Sequence, residues 1–473
     1  MGSEWKETTI GNIAAKGGHG LVDGPFGSNL PASSYTADGI PVIRGSNLTL
    51  GSGRFKGDEF VYVSDETADR LSRSLCKAND IVFTKKGTLG QTGLVPDDGY
   101  ESYLISSNQM KLTVDTDIAL PLYVYYFVSS QQSTEKIIRD SESTGVPKTN
   151  LAYLKDFPIS LPPLEKQKRI AHVLGSLDDK IALNRQINTT LESMAQALFK
   201  SWFVNFDPVI DNALAAGNDI PEPLQARAER RKTLTPSPSP SRGRGEQAGI
   251  DAPLSPLPLE GEGLGEGKLP LKIQQLFPDS FVFTEEMGWV PEGWGVGVLE
   301  DLLVLQRGFD LPKSSRTDGE YPLIAASGQD GTHNESKVSG PGITTGRSGK
   351  LGEVCFVEKD FWPLNTTLWV KEFRHSSPYH AFYLLKSMDL EKYNSGSAVP
   401  TLNRNYVHNV SALLPSGSVI EAYDQFVSGC YSKKHANDEQ SKSLSSLRDS
   451  LLPKLLSGQL SIPEAEQALD KVV

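Results

Sequence analysis

The sequence predicts a mixed α/β (α+β) protein built from two pseudo-repeated domains that are joined by two long helices. Three observations predict it: an internal repeat, apolar residues at heptad spacing after each repeated segment, and a Pro-, Gly- and Ser-rich stretch between the halves. The 473 residues suffice for two to three domains, because a single core rarely exceeds about 250–300 residues. The expected segments are a first domain at 1–160, a first helix at 161–205, a connection at 206–290, a second domain at 291–415 and a second helix at 416–460.

Matching motifs open both halves of the chain, and a repeat of this length must be recognised before any fold is assigned. One matched motif is a strand followed by a glycine-containing turn, which occurs at 81–90 and again at 343–352. The other matched motifs are Trp5, Ile10 and Ile13 with Trp294, Leu299 and Leu302; Pro25-Phe26-Gly27 with Gly308-Phe309; and Ile40-Pro41-Val42-Ile43 with Tyr321-Pro322-Leu323-Ile324.

The last third of each half aligns without a gap. Val146 aligns with Val399, an offset of 253 (399 minus 146), and the offset holds from there to the end of the following helix. Such a constant register is difficult to obtain by chance, so it indicates duplication. Further pairs in this register are Leu161-Pro162 with Leu414-Pro415, and Leu191, Met194 and Leu198 with Leu444, Leu447 and Leu451.

Apolar residues from Ile170 onward recur at alternating steps of four and three, as in a coiled coil. The register aligns Asn184 with Asn437, and a buried polar pair in an apolar seam fixes register and partner choice. The alternative is that both Asn side chains face solvent. The seams of the first helix are Ile170, Leu177, Asn184, Leu191 and Leu198, and Leu174, Ile181, Asn188, Ala195 and Trp202; in the second helix the corresponding residues are Tyr423, Val427, Cys430, Lys434, Asn437, Ser441, Leu444 and Leu451.

Composition limits the possible functions. The net charge of −11 and the pI near 5.3 count against a self-sufficient nucleic-acid-binding protein, unless a partner neutralises the phosphates. No apolar run approaches the about 20 residues of a membrane span, and no signal region opens the chain, so we expect a cytoplasmic protein. Cys76, Cys355 and Cys430 lie far apart, which predicts reduced thiols and no metal site.

The stretch at 232–268 is rich in Pro, Gly and Ser and contains no aromatic residue. Such a composition cannot bury enough apolar surface to offset the entropy of ordering, so the sequence predicts a disordered insertion. A Pro-rich ligand for a partner protein is the alternative.

Several of these motifs resemble the specificity subunit of type I restriction–modification enzymes. They are Ile40-Pro41-Val42-Ile43-Arg44, residues 81–90, Ser143-Thr144-Gly145-Val146-Pro147, the helix start Leu161-Pro162-Pro163-Leu164-Glu165-Lys166-Gln167, and residues 191–208. The resemblance covers the chain except for the insertion. The chain departs from the family pattern at the insertion and at the second helix start, which reads Leu414-Pro415-Ser416-Gly417-Ser418.

The resemblance implies two target-recognition domains, each reading one half of a bipartite DNA site, and two long helices that form an antiparallel coiled coil. It also implies docking of two modification subunits that methylate adenine with S-adenosylmethionine, and of restriction subunits that work as motors. S-adenosylmethionine, ATP and Mg are therefore expected in partner subunits, and no cofactor in this chain. A helix of about 35–40 residues is about 55–60 Å long, so the helix pair would set how many base pairs remain unread between the half-sites.

Motifs that suggest catalysis do not fit their patterns. The segment 346–352 is similar to a phosphate-binding loop, but that pattern needs Gly five residues before Gly349, where this chain has Thr344. It also needs Ser or Thr after Lys350, where this chain has Leu351. We interpret this segment as a turn between strands, with Arg347 and Lys350 facing DNA; solvated hairpin cations are the alternative. Asp178-Asp179-Lys180 lies within the heptads and is interpreted as a solvated helix face. No methyltransferase or glycine-rich cofactor motif occurs, so the sequence predicts a non-catalytic subunit.

The residues expected to contact DNA follow the repeated strands and turns. Arg suits guanine and Asn suits adenine in the major groove, whereas Lys more often contacts phosphate. The candidates are Arg44, Lys85, Lys86, Lys148 and Asn150 in the first domain, and Arg307, Arg347, Lys350, Asn403 and Arg404 in the second. The residues expected to form the coiled coil and the docking surface are Ile170, Leu174, Leu177, Ile181, Asn184, Leu191, Leu198, Asn437, Leu444 and Leu451.

Two other classes of function compete with a DNA-specificity subunit. A self-sufficient methyltransferase would transfer label from S-adenosylmethionine without any partner. A coiled-coil scaffold that binds only protein would join the modification subunits without retaining any particular DNA sequence.

Overall fold

The computed structural model describes residues 5–51, 53–141, 148–232, 269–396 and 398–472. The chain divides into two compact units, one of Met1–Gln186 with Ala436–Val473 and the other of Ile187–His435. Each unit contains one repeated domain and adjoining parts of both long helices, so the units cross the segment boundaries expected from the sequence. The insertion predicted at 232–268, beyond its first residue, and the motif at 143–147 lie outside the described residues.

The first unit is a mixed α/β structure with a five-stranded sheet in the order β3-β5-β4-β9-β6 and a four-stranded sheet in the order β2-β10-β7-β8. Its strands are β1 (Lys6–Thr9), β2 (Leu21–Asp23), β3 (Tyr35–Thr36), β4 (Ile40–Ile43), β5 (Val61–Val63), β6 (Leu75–Cys76), β7 (Ile81–Thr84), β8 (Thr92–Leu94), β9 (Tyr103–Ile105), β10 (Gln109–Leu112) and β11 (Pro158–Leu161). Its helices are α1 (Ile10–Ile13), α2 (Asp65–Arg70), α3 (Pro121–Ser129), α4 (Gln131–Arg139), α5 (Leu151–Asp156) and the start of α6 (Leu164–Phe199).

The second unit contains a four-stranded sheet in the order β15-β21-β18-β19 and a three-stranded sheet in the order β17-β16-β20. Its helices are α7 (Asp207–Ala216), α8 (Glu222–Lys232), α9 (Leu271–Gln274), α10 (Leu299–Leu302), α11 (Pro378–Ser387), α12 (Arg404–His408) and the start of α13 (Gly417–Leu456), which α14 (Ile462–Leu469) follows in the first unit. Its strands are β12 (Phe281–Thr284), β13 (Gly288–Pro291), β14 (Gly295–Val298), β15 (Leu303–Arg307), β16 (Tyr321–Ala325), β17 (Gly328–His333), β18 (Gly342–Gly346), β19 (Val354–Val357), β20 (Trp362–Pro363), β21 (Thr367–Phe373) and β22 (Ser411–Leu414).

The predicted duplication is confirmed by the topology of the two units. The pairs β1–β11 and β14–β22 are both antiparallel, and the two four-stranded sheets have the same strand order. Equivalent backbone hydrogen bonds tie α1 and α10 to these pairs: Ile10 N–H donates to the Phe157 carbonyl at 3.0 Å and Leu299 N–H to the Val410 carbonyl at 2.9 Å. The matched sequence motifs therefore occupy matched places in the fold.

Both domains build their cores in the same way, by covering the four-stranded sheet with a helix and with one side of a long helix. In the first unit Ile10 of α1, Tyr123 of α3 and Leu174 of α6 are buried in one cluster. In the second unit Leu299 of α10 and Tyr423 of α13 are buried in the equivalent cluster. Burial of each such side chain stabilises the fold by about 1.5–3 kcal/mol.

The helix pair in the first unit is antiparallel, because Asp178 of α6 meets Arg448 of α13 while the later Asn184 meets the earlier Asn437. Asn184 and Asn437 are 2% and 3% exposed, and the Asn184 side chain donates to the Asn437 carbonyl at 3.3 Å. The two residues that the repeat aligns therefore touch each other, which fits a register-setting pair and not a solvated one.

The interpretation of Asp178 as part of a solvated helix face is wrong. Its carboxylate is 8% exposed and contacts Arg448 Nη1 at 2.6 Å, while the Tyr126 hydroxyl donates to it at 2.7 Å. The residue lies beside the apolar seam, where the domain covers the helix, and heptad position alone does not show what a neighbouring domain covers.

Among the described residues, no helix is long and apolar enough to cross a membrane.

In the second unit the same two helices continue as an antiparallel pair. Leu191 and Met194 of α6 pack against Cys430 of α13, and the Tyr423 hydroxyl donates to the Ala195 carbonyl at 3.1 Å. The predicted seam residues Ile170, Leu174, Leu177, Ile181, Asn184, Leu191, Leu198, Asn437, Leu444 and Leu451 are all buried. A docking partner would therefore meet the exposed faces of the helices, not these side chains.

Candidate nucleic-acid interface

Each domain carries a turn between two antiparallel strands of its four-stranded sheet, as the sequence predicts. Residues 85–90 join β7 to β8, and residues 347–352 join β18 to β19. Two glycines in each turn have positive φ: 112° at Gly87 and 84° at Gly90, 95° at Gly349 and 81° at Gly352. Glycine adopts this conformation without steric cost, which is why the turn motif recurs with glycine at these two positions.

A second segment, the one that leads into α5 or α12, pairs with each turn. Thr149 N–H donates to the Lys85 carbonyl at 2.9 Å, and Leu402 N–H donates to the Arg347 carbonyl at 2.8 Å. Isolated bridges join Lys86 with Lys148 and Ser348 with Thr401. We call residues 85–90 with 148–150 the first edge, and residues 347–352 with 401–404 the second edge.

The first edge gathers four of the five candidates of the first domain. Lys86 and Lys148 are exposed, whereas Lys85 Nζ lies 2.9 Å from Asp23 Oδ1 and is largely neutralised by it. The Asn150 side chain accepts the Tyr153 N–H at 2.8 Å and caps α5, so it has a structural task of its own.

Arg44, the fifth candidate, follows β4 beside the same end of the domain. A short turn connects it with the first edge: Ser106 N–H donates to the Ile43 carbonyl at 3.0 Å, and Lys85 N–H donates to the Asn108 carbonyl at 2.7 Å. The Arg44 guanidinium donates to the Glu59 carbonyl at 3.0 Å. Part of this side chain therefore supports the loop that contains Glu59.

The second edge gathers Arg347, Lys350, Asn403 and Arg404, and Arg307 lies next to it. Lys350 Nζ lies 2.8 Å from Glu353, and this hydrogen bond raises the pKa of Lys350. Asn403 accepts the Asn405 N–H at 3.0 Å and caps α12, as Asn150 caps α5. Arg404 is exposed in the first turn of α12.

One carboxylate, that of Asp310, contacts Arg307 directly and is connected with Arg347 through Asn365. Arg307 Nη2 lies 3.2 Å from Asp310, whose carboxylate also accepts from the Asn365 side chain, and Arg347 Nε donates to the Asn365 carbonyl at 2.9 Å. Partial burial and the nearby charge of Arg307 lower the pKa of Arg347. The cluster therefore carries more positive charge than its single carboxylate offsets.

Two exposed aromatic side chains near the edges were not singled out as candidates. Phe26 is 83% exposed in the loop after β2, and Tyr406 is 61% exposed on α12. Aromatic and apolar side chains contact the thymine methyl group or stack on bases. Phe26 lies between Pro25 and Gly27, and an aromatic residue in such a loop is the sequence signal from which it could have been chosen as a candidate for DNA contact.

His380 is a buried ionisable residue that lies away from the two edges. Burial lowers the pKa of His380 to about 3, so this side chain is neutral at pH 7, and its Nδ1 lies 2.9 Å from the Ser376 hydroxyl. Among the described residues, no group of three or more His, Cys, Asp or Glu could hold a metal ion.

Comparisons with known proteins agree with this architecture. Residues 3–193 match the family model of the type I restriction modification DNA specificity domain. The chain is 26% identical over 500 aligned residues to the type I restriction enzyme HindI specificity subunit of Haemophilus influenzae, covering 97% of this chain and 100% of that one. It is 22% identical to the MjaIX specificity subunit of Methanocaldococcus jannaschii, covering 98% of each.

The fold also occurs in a solved structure. The type I restriction–modification S subunit from M. genitalium superposes with a TM-score of 0.50 at 15% identity, covering 95% of this chain and 96% of that chain. At this identity the likeness concerns the arrangement of the elements, not the residues at the two edges.

Proposed function

Because this chain belongs to the family of type I restriction–modification specificity subunits, we propose that it reads a bipartite DNA target, one half-site with each domain. The observation that carries the proposal is the repeated edge. Both domains join a glycine-containing turn to a capped helix through equivalent hydrogen bonds, and both edges carry basic side chains. The sequences of the two edges differ, so the two half-sites should differ as well.

The chain is the non-catalytic subunit of such a system, so the chemistry belongs to its partners. We propose two adenine-modification subunits that carry S-adenosylmethionine, and restriction subunits that use ATP and Mg. These partners would dock on exposed faces of α6 and α13, since the seam side chains are buried. They would also supply phosphate neutralisation that a chain of net charge −11 lacks. With double-stranded DNA as the proposed target, we expect the protein to act in the cytoplasm. The spacing of the two half-sites by the long helices is likewise a prediction.

Methylome sequencing tests the proposal. Cells that carry this chain with its modification subunits should methylate adenine in one bipartite motif, and deletion of the chain should abolish methylation there while returning the gene restores it. An unchanged motif after deletion would contradict the proposal.

Exchange of single basic residues adds a matched comparison. Lys86→Gln in the first edge should weaken or alter methylation through the first half-site, whereas Arg404→Gln should act through the second. If both variants changed the same half-site, the assignment of one half-site to each domain would be wrong.

A further inference from the structure

Arg347 begins the turn of the second edge, and its backbone is fixed from both sides. Its N–H donates to the Thr366 carbonyl at 2.8 Å, and its carbonyl accepts the Leu402 N–H at 2.8 Å. These bonds hold the residue between β21 and the segment that leads into α12. Its side chain therefore starts from a rigid position, which is what geometric reading of a ligand requires.

Among the described residues, the Arg347 side chain is held at one of its three nitrogens, Nε. Nε donates to the Asn365 carbonyl at 2.9 Å, while the Asn365 amide itself donates to Asp310, so the acceptor is held in turn. A guanidinium has five donors in one plane. With Nε occupied, Nη1 and Nη2 form the fork that remains for a planar partner with two acceptors.

The charge of Arg347 is incompletely compensated. Asp310 makes its direct contact with Arg307, at 3.2 Å, and partial burial together with the Arg307 charge lowers the pKa of Arg347. Holding a partly buried cation next to another cation is unfavourable for the folded chain. An electronegative partner at the Nη atoms would relieve this cost.

The other basic candidates lack this combination of a rigid support and a remaining planar fork. Arg44 donates from Nη2 itself to the Glu59 carbonyl at 3.0 Å, so its two Nη atoms do not remain together for a ligand. Lys85, which occupies the equivalent place in the first edge, is a point charge paired with Asp23 at 2.9 Å. Arg307 contacts Asp310, and Lys350 contacts Glu353. Arg404 is exposed, and no hydrogen bond to another described residue orients its side chain.

We infer that Arg347 reads a guanine in the second half-site, donating from both Nη atoms to the O6 and N7 acceptors of that base in the major groove. This inference rests on the proposed function and adds to it a particular base class and a particular residue. It also predicts an asymmetry, since Lys85 at the equivalent place of the first edge does not read guanine in this way.

Selection of DNA from a random duplex library tests the inference, with the full chain assembled with its modification subunits. Arg347→Gln should lower the preference for guanine at one position of the second half-site by about 5- to 150-fold, the range of one good bidentate contact. The first half-site should be unchanged. Arg347→Lys keeps the charge near Asp310 and should also lose much of the preference, which covers the case in which the Gln variant does not assemble.

Arg374→Lys in the same domain is the matched control, because Arg374 lies away from the edge beside Glu372 and Glu300. It should leave the selected motif unchanged. Uniformly weaker binding of all sequences by Arg347→Gln, with the slope of affinity against salt reduced by about one, would identify a phosphate contact and overturn the inference. An unchanged guanine preference would overturn it as well, with the proposed function intact. No selected motif with the unaltered chain would overturn both.

Discussion

In the first unit the domain meets the helix pair through charge. The Tyr126 hydroxyl of α3 donates to Asp178 at 2.7 Å, and Arg448 contacts the other carboxylate oxygen at 2.6 Å. In the second unit the equivalent place holds two tyrosines instead, with the Tyr383 hydroxyl of α11 at 3.3 Å from the Tyr431 hydroxyl of α13. The repeat aligns Asp178 with Tyr431, because both helices keep the offset of 253 (431 minus 178).

The comparison separates what the fold requires from what it tolerates. Both units place a tyrosine of the covering helix against a polar group on a long helix, so a hydrogen bond at this place is common to both. Whether the polar group is charged differs. A buried charge costs several kcal/mol to desolvate and depends on its partner, whereas two hydroxyl groups do not. The two domains therefore share an arrangement but should respond differently to the same kind of substitution.

A similar difference separates the two edges. The loop after β2 exposes Phe26, whereas Phe309 of the matched motif packs near Trp362 and Trp369. Lys85 is held by Asp23, whereas Arg347 is held by a backbone carbonyl. The backbone of the repeat is kept and the side chains at its surface are exchanged, which is what two different half-sites would require.

Removal of Asp178 should have the largest effect on stability. Asp178→Ala leaves Arg448 buried without its main partner, and breaking a buried ion pair in this way typically costs about 3–5 kcal/mol. Equilibrium urea unfolding of the full chain, with hydrogen exchange at the helix pair, would measure the loss. Tyr431→Phe, at the equivalent place, removes a polar group but no charge and retains the buried ring, so it serves as the comparison.

A double variant sharpens this prediction. Asp178→Leu with Arg448→Met removes both charges and retains much of the volume, so it should be more stable than Asp178→Ala alone. If the double variant were the less stable of the two, the cost would come from lost packing and not from an uncompensated charge.

An identical substitution at equivalent tyrosines should have unequal effects. Tyr126→Phe removes a donor to the buried Asp178 carboxylate and should cost about 2 kcal/mol, since hydrogen bonds to charged groups contribute about 1.5–3 kcal/mol. Tyr383→Phe removes a longer bond between two neutral hydroxyls and should cost about 0.5 kcal/mol. Urea unfolding of both variants checks the order, and equal losses would remove the distinction between the two units.

The duplication, the pair of long helices and the turns at 85–90 and 347–352 could be predicted because they leave periodic or repeated signals, whereas the antiparallel direction of the helices was implied by the family resemblance. A fixed offset and a heptad spacing are properties of the chain itself. Asn184 and Asn437 could even be aligned before it was known that they touch.

The contacts between a domain and its helices could not be predicted in this way. Gln167 belongs to the recognised helix start, but its role depends on distant groups: its side chain accepts the Leu120 N–H at 2.8 Å and donates to the Pro162 carbonyl at 2.9 Å. The pairing of Arg54 with Asp179 at 2.9 Å likewise joins residues far apart in sequence. The sequence gives no register for such contacts, since each depends on how loops fold back.

Substitution of Asp424 of α13 should have a smaller effect than that of Asp178 or Tyr126, and one of opposite sign. Asp424 aligns with the buried Ala171 of α6, so this place in the second unit holds a carboxylate where the first unit holds a methyl group. Burial raises the pKa of Asp424 from its ordinary 3.8 to about 6, although the Ser377 hydroxyl donates to it at 2.6 Å. Asp424→Asn keeps an acceptor for Ser377 and removes the charge, so it should stabilise the chain at neutral pH by about 1 kcal/mol, after allowance for partial exposure.

The pH dependence tests the cause of this gain. Below about pH 3 Asp424 is protonated in both the folded and the unfolded chain, so the substitution should then have little effect. Between about pH 4 and pH 6 the folded chain retains a proton that the unfolded chain has lost, so the stability of the unaltered chain falls as the pH rises, and the gain from Asn should grow over the same interval. Asp318→Asn, at an exposed aspartate of the same unit, is the control and should show no such growth. A gain of equal size at all pH values would assign the effect to packing around Ser377, and the carboxylate would then not distinguish the two units electrostatically.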